Sequence, residues 1–155
     1  MGDIKSVLFV CTGNSCRSVM AETLLKKYLK DMGKSHIAVH SAGVASFEGL
    51  PPTLETVEVL KNEGIDVSGS RSKKMTLDLL NSSDVILAME EFHVDEIARV
   101  APWVTKKTHL LKEYGLNGKR SQNSGVHDPI GRPRKDYDAC FQAIKKEVKR
   151  IAEIL

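Results

Sequence analysis

Cys11 and Arg17 bound the stretch of this chain best suited to chemistry, Cys11-Thr12-Gly13-Asn14-Ser15-Cys16-Arg17-Ser18. Its small residues let the backbone curl so that successive amides point inward and form an anion cradle. A helix starting at its end would add a positive pole, which favours a bound phosphate. Arg17 can curve back as a planar fork across two phosphoryl oxygens. The same amides and guanidinium favour the nucleophilic thiolate at Cys11, and Ser18 can donate a further hydrogen bond to the sulfur. The chemistry assembled in this way is attack by sulfur on phosphorus, with Thr12 to Ser18 holding the phosphoryl oxygens.

A sulfur that displaces an oxygen from phosphorus leaves an oxyanion that needs a proton. A carboxylic acid above the site would give it, then take one from the water that breaks the phosphocysteine. Asp128 is the best candidate, because Pro129 restricts the residue before it and so stiffens the acid's placement. An Asp-Pro pair alone is an ordinary turn, and the Cys11 loop is what gives this one a chemical role. Cys-x5-Arg alone is a weak signal as well: a packing cysteine and a surface arginine would give the same letters. Context decides between the two readings.

The elements that must position these residues can be read from periodicity. Val7 to Val10 is a short apolar run, as in a buried parallel strand. Met20, Leu24, Leu25 and Tyr28 then recur at helical spacing as far as Gly33. Ile37 to His40, Val85 to Ala88 and Thr108 to Leu111 read as further strands. Pro51 and Pro52 open a helix with Leu54, Val57 and Leu60 on one face and Gly64 as its stop. Leu77, Leu79 and Leu80 form a short amphipathic piece, and Phe92 to Val100 reads as helix. Leu116 to Val126, rich in Gly, Asn and Ser, reads as a mobile loop. Phe141, Ile144, Val148, Ile151 and Leu155 form the stripe of a last helix. Strands alternating with helices predict an α/β fold, a parallel sheet with helices on both faces, in one domain over 1–155. Ligands bind at the carboxyl ends of such strands, and the Cys11 loop follows the first strand.

Composition sets the outer bounds. A chain of 155 residues, 41% hydrophobic and 28% charged, can bury a core without metals or disulfides. A net charge of +3 gives no reason to expect nucleic-acid binding. The basic clusters Lys106-Lys107, Lys119-Arg120 and Arg132 to Lys135 are either solvated surface or an attraction for an anionic substrate. Three cysteines make no disulfide framework, and no further Cys or His stands at metal-ligand spacing. No signal peptide is visible in Met1 to Lys5, and Ser6 to Val10 is far too short to span a bilayer. These features point to the cytoplasm, where a thiol stays reduced.

Val7-Leu8-Phe9-Val10-Cys11-Thr12-Gly13-Asn14-Ser15-Cys16-Arg17-Ser18-Val19-Met20-Ala21-Glu22 resembles the opening of the low-molecular-weight protein tyrosine phosphatases. The likeness extends to His40 through Val44, Asp84 through Met89, Leu111 through Tyr114, and Asp128-Pro129. It implies a four-stranded parallel sheet and hydrolysis of phosphotyrosine-type esters on a phosphoprotein or phosphopeptide, with Cys11, Arg17 and Asp128 catalytic. It also implies that Asn14 adopts a left-handed backbone and that Ser41 braces it. Cys16 would trap an oxidised Cys11 as a reversible disulfide. Cys140, at the start of the last apolar stripe, reads as core. His127, beside the acid, reads equally as its tuner and as a plain loop residue. No metal or organic cofactor is called for, since amides and Arg17 neutralise the charge a metal would carry.

The sequence departs from that pattern around the substrate pocket. Ile130 and Gly131 follow Asp-Pro, where family members often place aromatic walls; Phe47 matches another wall position and either compensates or packs locally. Ser15 stands where tyrosine-directed members have a bulky aliphatic residue. A bacterial branch that acts on phosphoarginine has a hydroxyl residue there, and Cys-Thr-Gly-Asn-Ser, His109, Lys112, Glu113 and Tyr114 resemble that branch. Arginine phosphatase is therefore the alternative. A thiol-coupled arsenate reductase of the same fold would need two further cysteines near the third strand, and Val85 to Val100 contains none. A non-catalytic phosphate-binding module would be expected to lose the nucleophile or the acid, and both are present.

Overall fold

A computed structural model describes residues 3–117 and 124–155 of the chain. Its central strand is β1 (Ser6–Cys11), buried from Val7 onward. β2 (Ala38–Gly43) pairs with one edge of β1 and β3 (Val85–Ala88) with the other, while β4 (Thr108–Leu110) lies beyond β3. The order is β2-β1-β3-β4, with every pairing parallel.

Successive residues of β1 face opposite layers, so both faces must be apolar. Val7 and Phe9 pack with Met20, Leu24 and Leu25 of α1 (Arg17–Asp31) and with Ile144, Val148 and Ile151 of α5 (Arg134–Ile154). Leu8 and Val10 face the other way, onto Leu80 of α3 (Leu77–Ser82) and Ile97 of α4 (Glu91–Val100). Val104, in a 3₁₀ turn over Pro102–Lys107, joins that second layer. The expected sheet, with helices on both faces, is present.

The differences from expectation are local. α2 (Leu54–Asn62) begins after the prolines, where Thr53 caps it by accepting from the Thr56 amide. Its buried face is Thr56, Val59 and Leu60, while Leu54 is 77% exposed, so the face expected from Leu54, Val57 and Leu60 is rotated. β2 starts one residue later than expected and runs on to Gly43, because it pairs with β1 along its whole length. β4 stops at Leu110, and α4 starts at Glu91. Residues 118–123 of the expected 116–126 loop, with the basic pair Lys119-Arg120, lie outside the described residues.

Topology places the site. The chain leaves β1 toward β2 on one side and later enters β3 on the other, so the loops after β1 and β3 diverge from one crevice. The end of β2 backs onto the Cys11 loop, with Val44 N–H donating to Cys11 O at 2.9 Å and Ala45 N–H to Thr12 O at 3.0 Å. A Cβ on Gly43 would lie 2.5 Å from the Thr12 carbonyl oxygen and 3.0 Å from the Asn14 nitrogen, so only glycine permits this approach.

Candidate active site

The loop between β1 and α1 is wound around Asn14, whose φ of 52° lies in the left-handed region. Asparagine tolerates that conformation better than most residues. Its buried side chain then ties three segments together. Nδ2 donates to Ser18 Oγ at 2.7 Å and to Ser41 Oγ at 2.9 Å, and Oδ1 accepts from the Lys73 amide at 2.9 Å. Ser41, on β2, thus occupies the bracing position expected of it, and it donates in turn to the carboxylate of Glu22. Sequence reasoning missed Glu22 and the Lys73 amide.

Cys11 is 2% exposed, with its sulfur 2.9 Å from Ser18 Oγ. Arg17 is equally buried, in the first turn of α1. Its Nη1 donates to the Glu90 carboxylate and to Val126 O at 2.8 Å. Nη2 donates to Thr12 Oγ1 at 3.3 Å and lies 3.6 Å from Asp128 Oδ2. Asp128, more than a hundred positions along the chain, is therefore brought to the Cys11 loop and Arg17 at one end of the sheet. A buried guanidinium needs such partners, because removing the partner of a buried charge costs about 3–5 kcal/mol.

Glu90 was not singled out from sequence, although it follows the third strand at the carboxyl end where sites gather. Val126 links the same strand end to the acid: its N–H donates to Met89 O at 2.8 Å, two residues before Asp128. Asp128 is 38% exposed and its Oδ1 accepts from the Ile130 amide at 3.1 Å, a local turn that orients the carboxyl group. His93, also missed, is wholly buried on α4 and within 2.9 Å of Thr12 Oγ1. His127 is exposed.

Ser15 is half-buried, and its carbonyl accepts from the Thr53 amide at 3.1 Å, fixing α2 against the loop. Phe47 is 73% exposed and Ile130 50% exposed. Cys11, Cys16 and Cys140 are all free and buried. The Cys140 thiol beside Cys16, together with burial, pushes the Cys16 thiol well above its ordinary value and keeps it protonated. Among the described residues, no group of three or more Cys, His, Asp and Glu could hold a metal ion, and no helix is long and apolar enough to cross a membrane.

Chemically, this arrangement offers a sulfur beside a hydroxyl, a guanidinium braced on both terminal nitrogens and a half-exposed carboxyl group. Residues 6–155 match the family model described as low molecular weight phosphotyrosine protein phosphatase. A crystal structure of a low molecular weight protein tyrosine phosphatase from T. tengcongensis superposes with a TM-score of 0.87 at 37% identity, over 97% of this chain and 99% of that one. A protein-arginine-phosphatase of Geobacillus stearothermophilus is 35% identical over 96% of this chain and 95% of its own length. An arsenate reductase of Brevibacillus brevis is 31% identical over 99% of this chain and 98% of its own length.

Proposed function

The chain belongs to the low molecular weight phosphotyrosine protein phosphatase family, and from that membership we propose a mechanism in which Cys11 is the nucleophile, Arg17 the phosphoryl fork and Asp128 the proton carrier. The enzyme is a cysteine-dependent protein phosphatase that hydrolyses phosphotyrosine-type monoesters. The Cys11 thiolate attacks phosphorus; the S–P bond forms as the bond to the leaving oxygen breaks, and protonated Asp128 gives that oxygen its proton. Water then attacks phosphorus, Asp128 takes its proton, and the S–P bond breaks to release phosphate and the thiolate. Amides of Thr12 to Ser18 meet the equatorial oxygens. Both hydrogens of Arg17 Nη1 are spent on Glu90 and Val126, which leaves Nε and Nη2 as the prongs for phosphoryl oxygens.

The observation that carries this reading is the convergence of Cys11, Ser18, Arg17 and Asp128 at the carboxyl end of β1. The substrate is a phosphoprotein or phosphopeptide and the location the cytoplasm. Cys16 is the reserve thiol that captures an oxidised Cys11. The test is hydrolysis of para-nitrophenyl phosphate: Cys11→Ser should abolish it, and turnover by that variant would remove the mechanism.

Arginine phosphatase is the second reading, favoured by the small hydroxyl residue Ser15 and by the Geobacillus stearothermophilus relative. Rates on phosphotyrosine and phosphoarginine peptides, measured side by side with Ser15→Ile, separate the two. A shift toward phosphotyrosine in the variant assigns Ser15 the discriminating role. Thiol-coupled arsenate reduction is disfavoured, because Val85 to Val100, near the third strand where its two further cysteines would lie, contains none. Efficient thioredoxin-driven reduction of arsenate would reverse that judgement.

A further inference from the structure

One turn of α4 grips Arg17 at both ends. The Glu90 carboxylate takes Nη1 directly. His93, three residues on, reaches Nη2 through Thr12. The tautomer follows from its partners. His93 Nδ1 accepts the Glu90 N–H at 3.0 Å, so the ring proton sits on Nε2 and is donated to Thr12 Oγ1 at 2.9 Å. Thr12 Oγ1 receives Arg17 Nη2 as well, at 3.3 Å. Both of its acceptor sites are then filled, and the hydroxyl is fixed in orientation.

We propose that His93 is a positioning residue for phosphoryl transfer, whose Nε2–H locks the Thr12 hydroxyl and thereby holds Nη2 of Arg17 in place for the phosphoryl oxygens. This rests on the phosphatase reading above and adds a residue that never touches substrate. Burial and the neighbouring Arg17 charge lower the pKa of His93 to about 3, so the ring is neutral with a single N–H, as this hydrogen-bond pattern requires. Because the fork binds the transition state more tightly than the ground state, the brace acts on kcat more than on KM.

A purely structural role is the competing explanation, since Nδ1 also caps the start of α4. Two substitutions separate the roles. Asparagine can supply the acceptor at the Nδ1 position but no donor at Nε2, whereas glutamine can supply the donor to Thr12 and loses the cap. The experiment measures kcat and KM on para-nitrophenyl phosphate, inhibition by vanadate, and thermal melting for wild type, His93→Asn, His93→Gln and Thr12→Val.

His93→Asn is expected to lower kcat and vanadate affinity about tenfold, the worth of one well-placed hydrogen bond, with KM within about twofold and melting close to wild type. His93→Gln is expected to restore kcat to within about threefold of wild type even where its melting temperature falls. Adding His93→Asn to Thr12→Val should cost no more than Thr12→Val alone. The proposal is overturned if kcat in the two His93 variants follows their melting temperatures, or if the losses in the double variant simply multiply. Wild-type turnover and its loss in Cys11→Ser are measured alongside. An unaffected His93→Asn beside an active wild type therefore removes the role of His93 and leaves the phosphatase reading standing.

Discussion

The hydroxyl oxygen of Ser18 lies 2.9 Å from the sulfur of Cys11 and receives the Asn14 side-chain amide at 2.7 Å. When Cys11 is a thiolate it can only accept, so the Ser18 hydroxyl donates to sulfur while its oxygen accepts from Asn14. The arrangement favours negative charge on Cys11 at the two points where it appears, before attack and when phosphocysteine is hydrolysed.

Ser18→Ala should therefore slow breakdown of the intermediate more than its formation, with kcat falling about 10- to 100-fold. Rapid mixing with para-nitrophenyl phosphate should show a burst of nitrophenol approaching one equivalent, followed by slow turnover. A variant with wild-type kcat and no burst would mean that the hydroxyl does not assist the sulfur.

Asn14 has both a conformational and a bonding role, and two substitutions divide them. Asn14→Ala loses three hydrogen bonds and puts at φ 52° a residue that tolerates the left-handed region less well than asparagine, at a cost of about 2–4 kcal/mol in unfolding free energy. Asn14→Gly keeps the left-handed backbone and loses only the bonds, so it should be the more stable of the two. Urea unfolding decides; equal stabilities would show that backbone conformation contributes nothing.

Much of this site was legible because its core is local. Cys11, Asn14, Arg17 and Ser18 fall in one turn of chain after an apolar strand, and physics alone relates their letters to phosphate. Asp128 was legible once that loop had supplied a reason for an acid. Glu90, His93 and Val126 were not: they reach Arg17 and Thr12 across 73 to 109 positions, and only the sheet order brings them near. Gly43 was quoted within a motif, but its steric necessity appears only when β2 closes against Thr12. On α2, periodicity found the helix and misjudged its buried face, since spacing says nothing about where the sheet lies.

Asp128→Ala should reduce turnover about 10²- to 10⁴-fold for leaving groups that need a proton, the usual range for a general acid, and much less for formation of the intermediate from para-nitrophenyl phosphate. A series of aryl phosphates of graded leaving-group acidity measures this directly. Equal losses across the series would deny Asp128 the role of acid.

Stability should depend on pH through His93. Its folded pKa is about 3 against an ordinary 6.5, with Arg17 and Glu90 as its charged neighbours. Below pH 6.5 the unfolded chain binds a proton that the folded chain refuses, so stability is full above that value and is lost as pH falls toward 3. The slope approaches about 1.4 kcal/mol per pH unit. Urea unfolding of wild type and His93→Gln from pH 7 to pH 5 isolates the contribution: the gap between them should change across that window. A constant gap would contradict it.

Direct capture of the intermediate tests the central claim, that sulfur attacks phosphorus. Asp128→Ala, mixed with para-nitrophenyl phosphate and quenched in denaturant within one turnover, should carry one phosphoryl group, placed on Cys11 by peptide mass spectrometry, and Cys11→Ala/Asp128→Ala, which has no nucleophile at that position, should carry none on the loop. A phosphoryl group on any other residue, or turnover with no covalent species at any time, would contradict the mechanism.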